Sequence, residues 1–467
     1  MADTRTYVLR IGSIHFRVRT LEHALLLGPT KRRVELTGQV GQRKPRASEA
    51  RGTVGRQRAR AEPARFPMHR RKLLKGIVGI TAGALALPVI ARRSHLKVGI
   101  VGGGIVGASI AMRLAEAGAD VVLFDKAAPA SGATRNSFAW LNAFVDDQHY
   151  RALRLRSLVA YHALDASLGL GIVWGGYLNW ARDATEAPIV RANAAQLEGT
   201  QFPVRSLSAG EFAGLAPPIE PGPIAAAFFS PIDGHLDPVW ATECFLKRAR
   251  QYGARVVHPC ELQGLRFRQG RLTAASTSTG EIALERLVVA AGVDTPRILA
   301  MAGYELRLRH APGLLMHSTP VSLLTRCVCD APGNVTFKQM ANSTLVGTDS
   351  PEPPDLPAHA LIRDHAIDFP DEPLRAWHGT RVLDKVKAFL PGARAASLDH
   401  VTLGFRPMPT DGFPIVGAVP GVADIYVAVT HSGVTLAPVL GEDVRRELLD
   451  EQRIDELEPY RPDRFTI

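Results

Sequence analysis

Leu96-Lys97-Val98-Gly99-Ile100-Val101-Gly102-Gly103-Gly104-Ile105-Val106-Gly107 is the stretch whose reading decides the fold. Its first six residues form a short, apolar, partly β-branched run, the composition of a strand buried on both faces of a parallel sheet. Gly102, Gly104 and Gly107 follow at the spacing of a dinucleotide-binding turn. The first permits a tight turn, the second lets backbone approach a pyrophosphate, and the third lets the next helix lie close on the strand. Ile110, Ala111 and Leu114 carry the apolar spacing of a helix that stops near Gly118. Its N-terminus aims free N–H groups and a partial positive charge at a diphosphate. A second strand, Asp120 to Phe124, ends in Asp125, about twenty residues beyond the glycines, where a carboxylate accepts both ribose hydroxyls. An acid at that place disfavours a 2′-phosphate, and hence NADP.

This order of elements suits NAD and FAD alike. The later segments choose between them by resemblance. Pro129-Ala130-Ser131-Gly132-Ala133-Thr134-Arg135-Asn136-Ser137-Phe138 resembles the small-residue loop after the ribose acid in the D-amino-acid oxidase superfamily, which includes glycine oxidase, sarcosine oxidase and D-amino-acid dehydrogenase. Gly175-Gly176-Tyr177-Leu178 resembles the point where that family's chain passes into its substrate domain. Asp233-Gly234-His235-Leu236-Asp237-Pro238 resembles its turn before a helix, with Asp237 as N-cap and Pro238 at the first helical position. Leu287-Val288-Val289-Ala290-Ala291-Gly292 matches its buried return strand, and Gly404 to Gly417 its "GxRPxxxDGxPxIG" segment. Thr430-His431-Ser432-Gly433-Val434-Thr435-Leu436-Ala437-Pro438 resembles its flavin loop. The resemblance covers roughly residues 96–449.

It implies an α/β fold: a Rossmann-like FAD-binding domain interleaved with an α+β substrate domain on an antiparallel or mixed sheet. The expected division is 94–175, 231–300 and 401–467 for the nucleotide domain, and 176–230 and 301–400 for the substrate domain. It further implies that FAD is held by Gly102, Gly104, Gly107, Asp125, Lys126, Thr134, Arg135, Asn136, Ser137, Leu262 near the adenine, and His431, Ser432, Gly433, Val434, Thr435 and Leu436. At the last of these a helix N-terminus faces the flavin pyrimidine, where negative charge collects on reduction. Attachment is expected to be non-covalent, because Phe405-Arg406 offers no Cys and the 131–137 loop no His.

The implied chemistry is oxidation of a C–N bond in a small amino acid or amine by hydride transfer to flavin. Such a reaction needs binding, orientation and field more than acid–base machinery. Arg406 matches the family's carboxylate anchor, a planar fork that would fix the α-carbon for transfer. The ring of His431 is expected to pack or hydrogen-bond locally rather than act as a base. Lys338, in the expected strand Val335-Thr336-Phe337-Lys338, reads as a solvated strand lysine; the resemblance to sarcosine-oxidase-like relatives offers the alternative of a lysine near flavin N5 that assists oxygen, but spacing does not place it there. Around Asn334 to Thr336 the chain has small polar and aliphatic residues where glycine oxidase has aromatic or His groups, so glycine specificity does not transfer. Oxidation of a 2-hydroxy acid, modification of tRNA, or flavin binding without turnover are the competing readings; the reoxidant is oxygen or a quinone.

Net charge is +11, but Lys and Arg outnumber Asp and Glu by about 16 in the first 93 residues, leaving about −5 for the remainder. The body therefore lacks the charge of a nucleic-acid-binding surface. Residues 1–67 read as disordered, or as translated from a start placed too early. Met68-His69-Arg70-Arg71-Lys72-Leu73-Leu74-Lys75, the apolar run Gly76 to Ala91 and Arg92-Arg93 resemble a twin-arginine export signal, which implies a periplasmic enzyme with membrane contact through the leader only; the alternatives are an uncleaved anchor, or a chance basic-apolar run on a cytoplasmic enzyme. Cys244, Cys260, Cys327 and Cys329 have no metal-ligand spacing and are expected to be free, semi-buried thiols; no metal is expected.

Overall fold

The computed structural model describes residues 6–11, 14–19, 96–202, 204–216, 218–351, 356–365 and 371–465. The chain divides into two units, Met1–Gly83 and Ala84–Ile467. The expected export signal, 68–93, lies outside the described residues. In the first unit Thr6–Ile11 pairs antiparallel with Ile14–Arg19. This hairpin falls where the sequence suggested no regular structure; the period-two pattern of Phe16-Arg17-Val18-Arg19 is real but too short to stand out.

The second unit is organised by two sheets. In the six-stranded sheet, Lys97–Val101 lies between Asp120–Phe124 and Arg286–Val289, all parallel. Arg255–Val257 extends it on one side, Val422–Val429 and Ile415–Val419 on the other, the last of these antiparallel. Beyond their charged first residues the central strands are apolar and buried, because both faces are covered. Helices Ile105–Glu116, Pro238–Gln251 and Gly433–Leu449 pack on one face. The three-stranded sheet Leu262–Arg268, Arg271–Thr277 and Gly280–Ala283 covers the other. Asp237 caps its helix by accepting from Val239 N and Trp240 N, with Pro238 at the first position.

The eight-stranded sheet runs in the order Leu398–Pro409, Leu308–Ser318, Leu345–Asp349, Val335–Gln339, Val328–Ala331, Tyr177–Ala181, Ala226–Ser230 and Arg205–Ser206. One pair, Val328–Ala331 with Tyr177–Ala181, is parallel and the rest antiparallel, so the sheet is mixed. Helix Glu372–Phe389 closes one face through Val382, Leu383 and Val386. The strand carrying Arg406 belongs to this sheet, so the chain returns to the nucleotide sheet only at Ile415.

Candidate functional site

An elongated cavity of about 940 Å³ runs from the glycine turn to the face of the eight-stranded sheet. Its first end holds Asp125, Lys126, Glu261, Leu262 and Asp294. Asp125 accepts from Gly103 N at 2.5 Å and from Ala127 N at 2.8 Å, which fixes its carboxylate at the end of the second strand. Lys126 pairs with Asp294.

In the middle lie Gly102 and Gly104 with the loop Ala130 to Ser137. Gly102 has φ +108°, and a Cβ there would stand 2.4 Å from the Ala290 carbonyl oxygen. Gly107 does not line the cavity; a Cβ on it would fall 2.0 Å from the Gly102 oxygen, so its place is the helix–turn contact. Thr134 Oγ1 accepts from Ile105 N at 3.1 Å, tying the loop to the helix N-terminus. Asn136 packs where Gly404 lacks a side chain, a Cβ there being 2.6 Å from Asn136 Cβ. Arg135 is exposed and lies off the cavity wall. Its neighbours Ala130 to Thr134 and Asn136 to Phe138 line the cavity, while its own long charged side chain takes the solvent side.

The far end is formed by His431 to Thr435 at the start of helix Gly433–Leu449, with Arg406, Arg154, Thr336 and Thr348. Leu436 is fully buried in the apolar core and does not reach the cavity, since helical spacing turns it inward. His431 shares a hydrogen bond of 3.1 Å with Ser432 Oγ. Burial, followed by the charges of Arg154 and Arg406, pushes its imidazole down to about 4, so it is neutral at pH 7. Arg406 stands opposite Ala311 in the sheet and donates to the Pro312 carbonyl at 3.4 Å.

Arg154 was not singled out from sequence. It is 6% exposed, and it donates to Asn142 Oδ1 at 2.8 Å and to Ser432 Oγ at 2.6 Å. A signal was present: Tyr150, Leu153, Ser157, Leu158, Tyr161 and Leu164 form the buried stripe of helix Gln148–Leu168, and Arg154 falls on it. An arginine on an apolar stripe needs a partner or a ligand.

Lys338 does lie in a strand, but it is 1% exposed rather than solvated. Its ammonium stands 5.1 Å from the Phe138 ring centroid, and burial pushes it down to about 7. The eight-stranded sheet is covered on both faces at this point, which a lone strand pattern does not reveal. The four cysteines are free and buried. Asp349, His359 and His378 place their ligand atoms within 4.8 Å of one another. Arg381 and Lys385 already hold that carboxylate, the latter at 3.1 Å. Burial opposes its ionisation, yet the hydrogen bonds from His359, Arg381 and Lys385 keep it well below the usual carboxylate range. The cluster is an ion network at the cavity edge.

An extended dinucleotide fits these walls. Small residues border the middle of the cavity, a carboxylate terminates the second strand, and cationic groups with a helix N-terminus close the far end. One sheet supplies the nucleotide wall and the other the reaction wall, the layout of a flavoprotein oxidoreductase. Residues 97–447 match the FAD dependent oxidoreductase family, DAO, and the chain belongs to it. It is 26% identical over 356 residues to glycine oxidase of Geobacillus kaustophilus, covering 74% of this chain and 90% of that one. It is 24% identical over 363 residues to 4-methylaminobutanoate oxidase (formaldehyde-forming) of Paenarthrobacter nicotinovorans, covering 75% and 43%. The L-proline dehydrogenase of P. horikoshii superposes with a TM-score of 0.70 at 22% identity, covering 79% of this chain and 97% of that one.

Proposed function

We propose that the protein oxidises the C–N bond of a small amino acid or amine that carries a carboxylate. The observation that carries this reading is the placement of Arg406 and Arg154 beside the N-terminus of helix Gly433–Leu449 at one end of the cavity. FAD, when bound, supplies the hydride acceptor. Arg406 takes the substrate carboxylate in its fork and sets the α-carbon. The helix N-terminus and Arg154 provide fixed positive potential where negative charge develops. His431, neutral and bonded to Ser432, shapes the loop. The names of glycine oxidase and 4-methylaminobutanoate oxidase support amine chemistry. Non-covalent binding of FAD is supported by the absence of Cys at Phe405-Arg406 and of His in the 131–137 loop. The enzyme is exported folded through its 68–93 leader, and cell fractionation tests that part.

The deciding experiment is anaerobic mixing of the purified yellow protein with D- and L-amino acids, N-methyl glycines and 2-hydroxy acids, read by loss of flavin absorbance. Bleaching by an amine supports the proposal. Bleaching by hydroxy acids alone, or by nothing in the panel, sinks it.

A further inference from the structure

Thr348, Thr336 and Asp330 stand directly opposite one another on three adjacent strands of the eight-stranded sheet. They therefore share one face, and Thr348 and Thr336 line the cavity. Asp330 is not on the cavity wall. It reaches the wall through one bond, the Thr336 hydroxyl donating to its Oδ1 at 3.1 Å. Its other oxygen accepts from the Tyr177 hydroxyl at 2.9 Å. A buried hydroxyl, 3% exposed at Thr336, thus connects the reaction end to a carboxylate behind it.

An amino acid arrives at neutral pH as its ammonium, which has no lone pair to assist hydride departure. Some group must take a proton first. Asp125, Glu261 and Asp294 lie at the nucleotide end. Asp349 is held by Arg381 and Lys385, and His431 faces Arg154 and Arg406; both are poor bases. We propose that Thr336 and Asp330 form the relay that deprotonates the substrate ammonium. The substrate N–H bond breaks as Thr336 Oγ1 accepts that proton, while the hydroxyl's own proton passes to Asp330 Oδ1. The amine keeps the electron pair, and no redox change occurs in the relay. This inference rests on the amine reading above.

The groups around the carboxylate bear on its titration. Tyr177 and Thr336 donate to it, Cys329 adjoins it on the same strand, Asp233 lies near Tyr177, and Lys338 shares the Thr336 strand. Burial pushes the carboxyl up to about 6, above what its two hydrogen bonds would give, which suits a proton acceptor working near neutrality.

The test compares Thr336→Val, Thr336→Ser and Asp330→Asn with the native holoenzyme in the rate of anaerobic flavin reduction from pH 6 to 10. Thr336→Val and Asp330→Asn should lose about a hundredfold at pH 7 and recover near pH 10, where free amine is abundant. Thr336→Ser should follow the native profile. Infrared difference spectra on reduction should gain a protonated-carboxyl band that Asp330→Asn removes and Thr336→Val suppresses. A Thr336→Val profile like the native one, or equal losses in the Val and Ser variants, overturns the relay alone. If Asp330→Asn does not fold, the Thr336 pair still decides. A native enzyme bleached by no amine overturns the amine reading and the relay together.

Discussion

Arg154 Nη2 donates to Ser432 Oγ at 2.6 Å, joining helix Gln148–Leu168 to the residue that begins helix Gly433–Leu449. Arg154 also sits over the Tyr150 ring at 4.7 Å and holds Asn142. Arg154→Met removes a charged donor from each of the two acceptors, which keep only their bonds to Phe144 N and His431, and should cost about 2 kcal/mol in a denaturant titration. It also removes a positive charge from the end of the cavity where reduction places a negative one. The flavin midpoint potential should fall in Arg154→Met and less so in Arg154→Lys, which keeps charge but not the fork. Unchanged potential in the Met variant would take Arg154 out of the flavin's field.

Arg406→Ala should raise KM for a carboxylate-bearing substrate by about 10²–10³-fold, the loss of two charge-assisted hydrogen bonds. The protein should remain yellow, because the side chain extends from the eight-stranded sheet and not from the nucleotide wall. Steady-state kinetics alongside flavin content check this. A KM unchanged in the Ala variant removes Arg406 from substrate binding.

Gly107→Ala would drive a methyl into the Gly102 carbonyl, only 2.0 Å from the new carbon, and backbone cannot yield cheaply there. The variant should be purified with little or no flavin and a lowered Tm. Gly214→Ala is the control: it lies in helix Ala209–Leu215 with nothing within 4 Å of the added carbon. It should be neutral or stabilise by up to about 1 kcal/mol. Equal flavin content in both variants would contradict the close helix–turn contact.

Lys338 is pushed down to about 7 by burial, against 10.5 for the free group. Above pH 7 the unfolded chain still binds the proton that the folded one has lost, so stability rises with pH through this window. Native protein should gain about 2–3 kcal/mol on Lys338→Met between pH 7 and 9, read by denaturant titration at each pH. A constant gap would mean that the ammonium stays charged inside the fold.

The nucleotide half was legible because local rules coincide there. Strand, glycines, helix and Asp125 each obey a short-range constraint, and the structure places the turn at Gly102 to Gly107. The Asp237–Pro238 helix start was equally local. Around the flavin loop the sequence identified the segment but not which side chains reach the cavity. His431 to Thr435 do and Leu436 does not, a distinction set by the rotation of the helix against its core.

Sequence alone determined the family, the dinucleotide turn, the arginine-bearing motif and the flavin loop, because each is written in residues close together along the chain; that Arg406 sits in the eight-stranded sheet rather than the nucleotide domain only the structure decided. Tertiary structure decided what lies opposite what. Arg154 meets Ser432 across 278 positions, and Lys338 is enclosed with Phe138 beneath a covered sheet. Thr336 reaches Asp330 through strand pairing. Burial and cross-strand register depend on how sheets stack, and no local pattern encodes them.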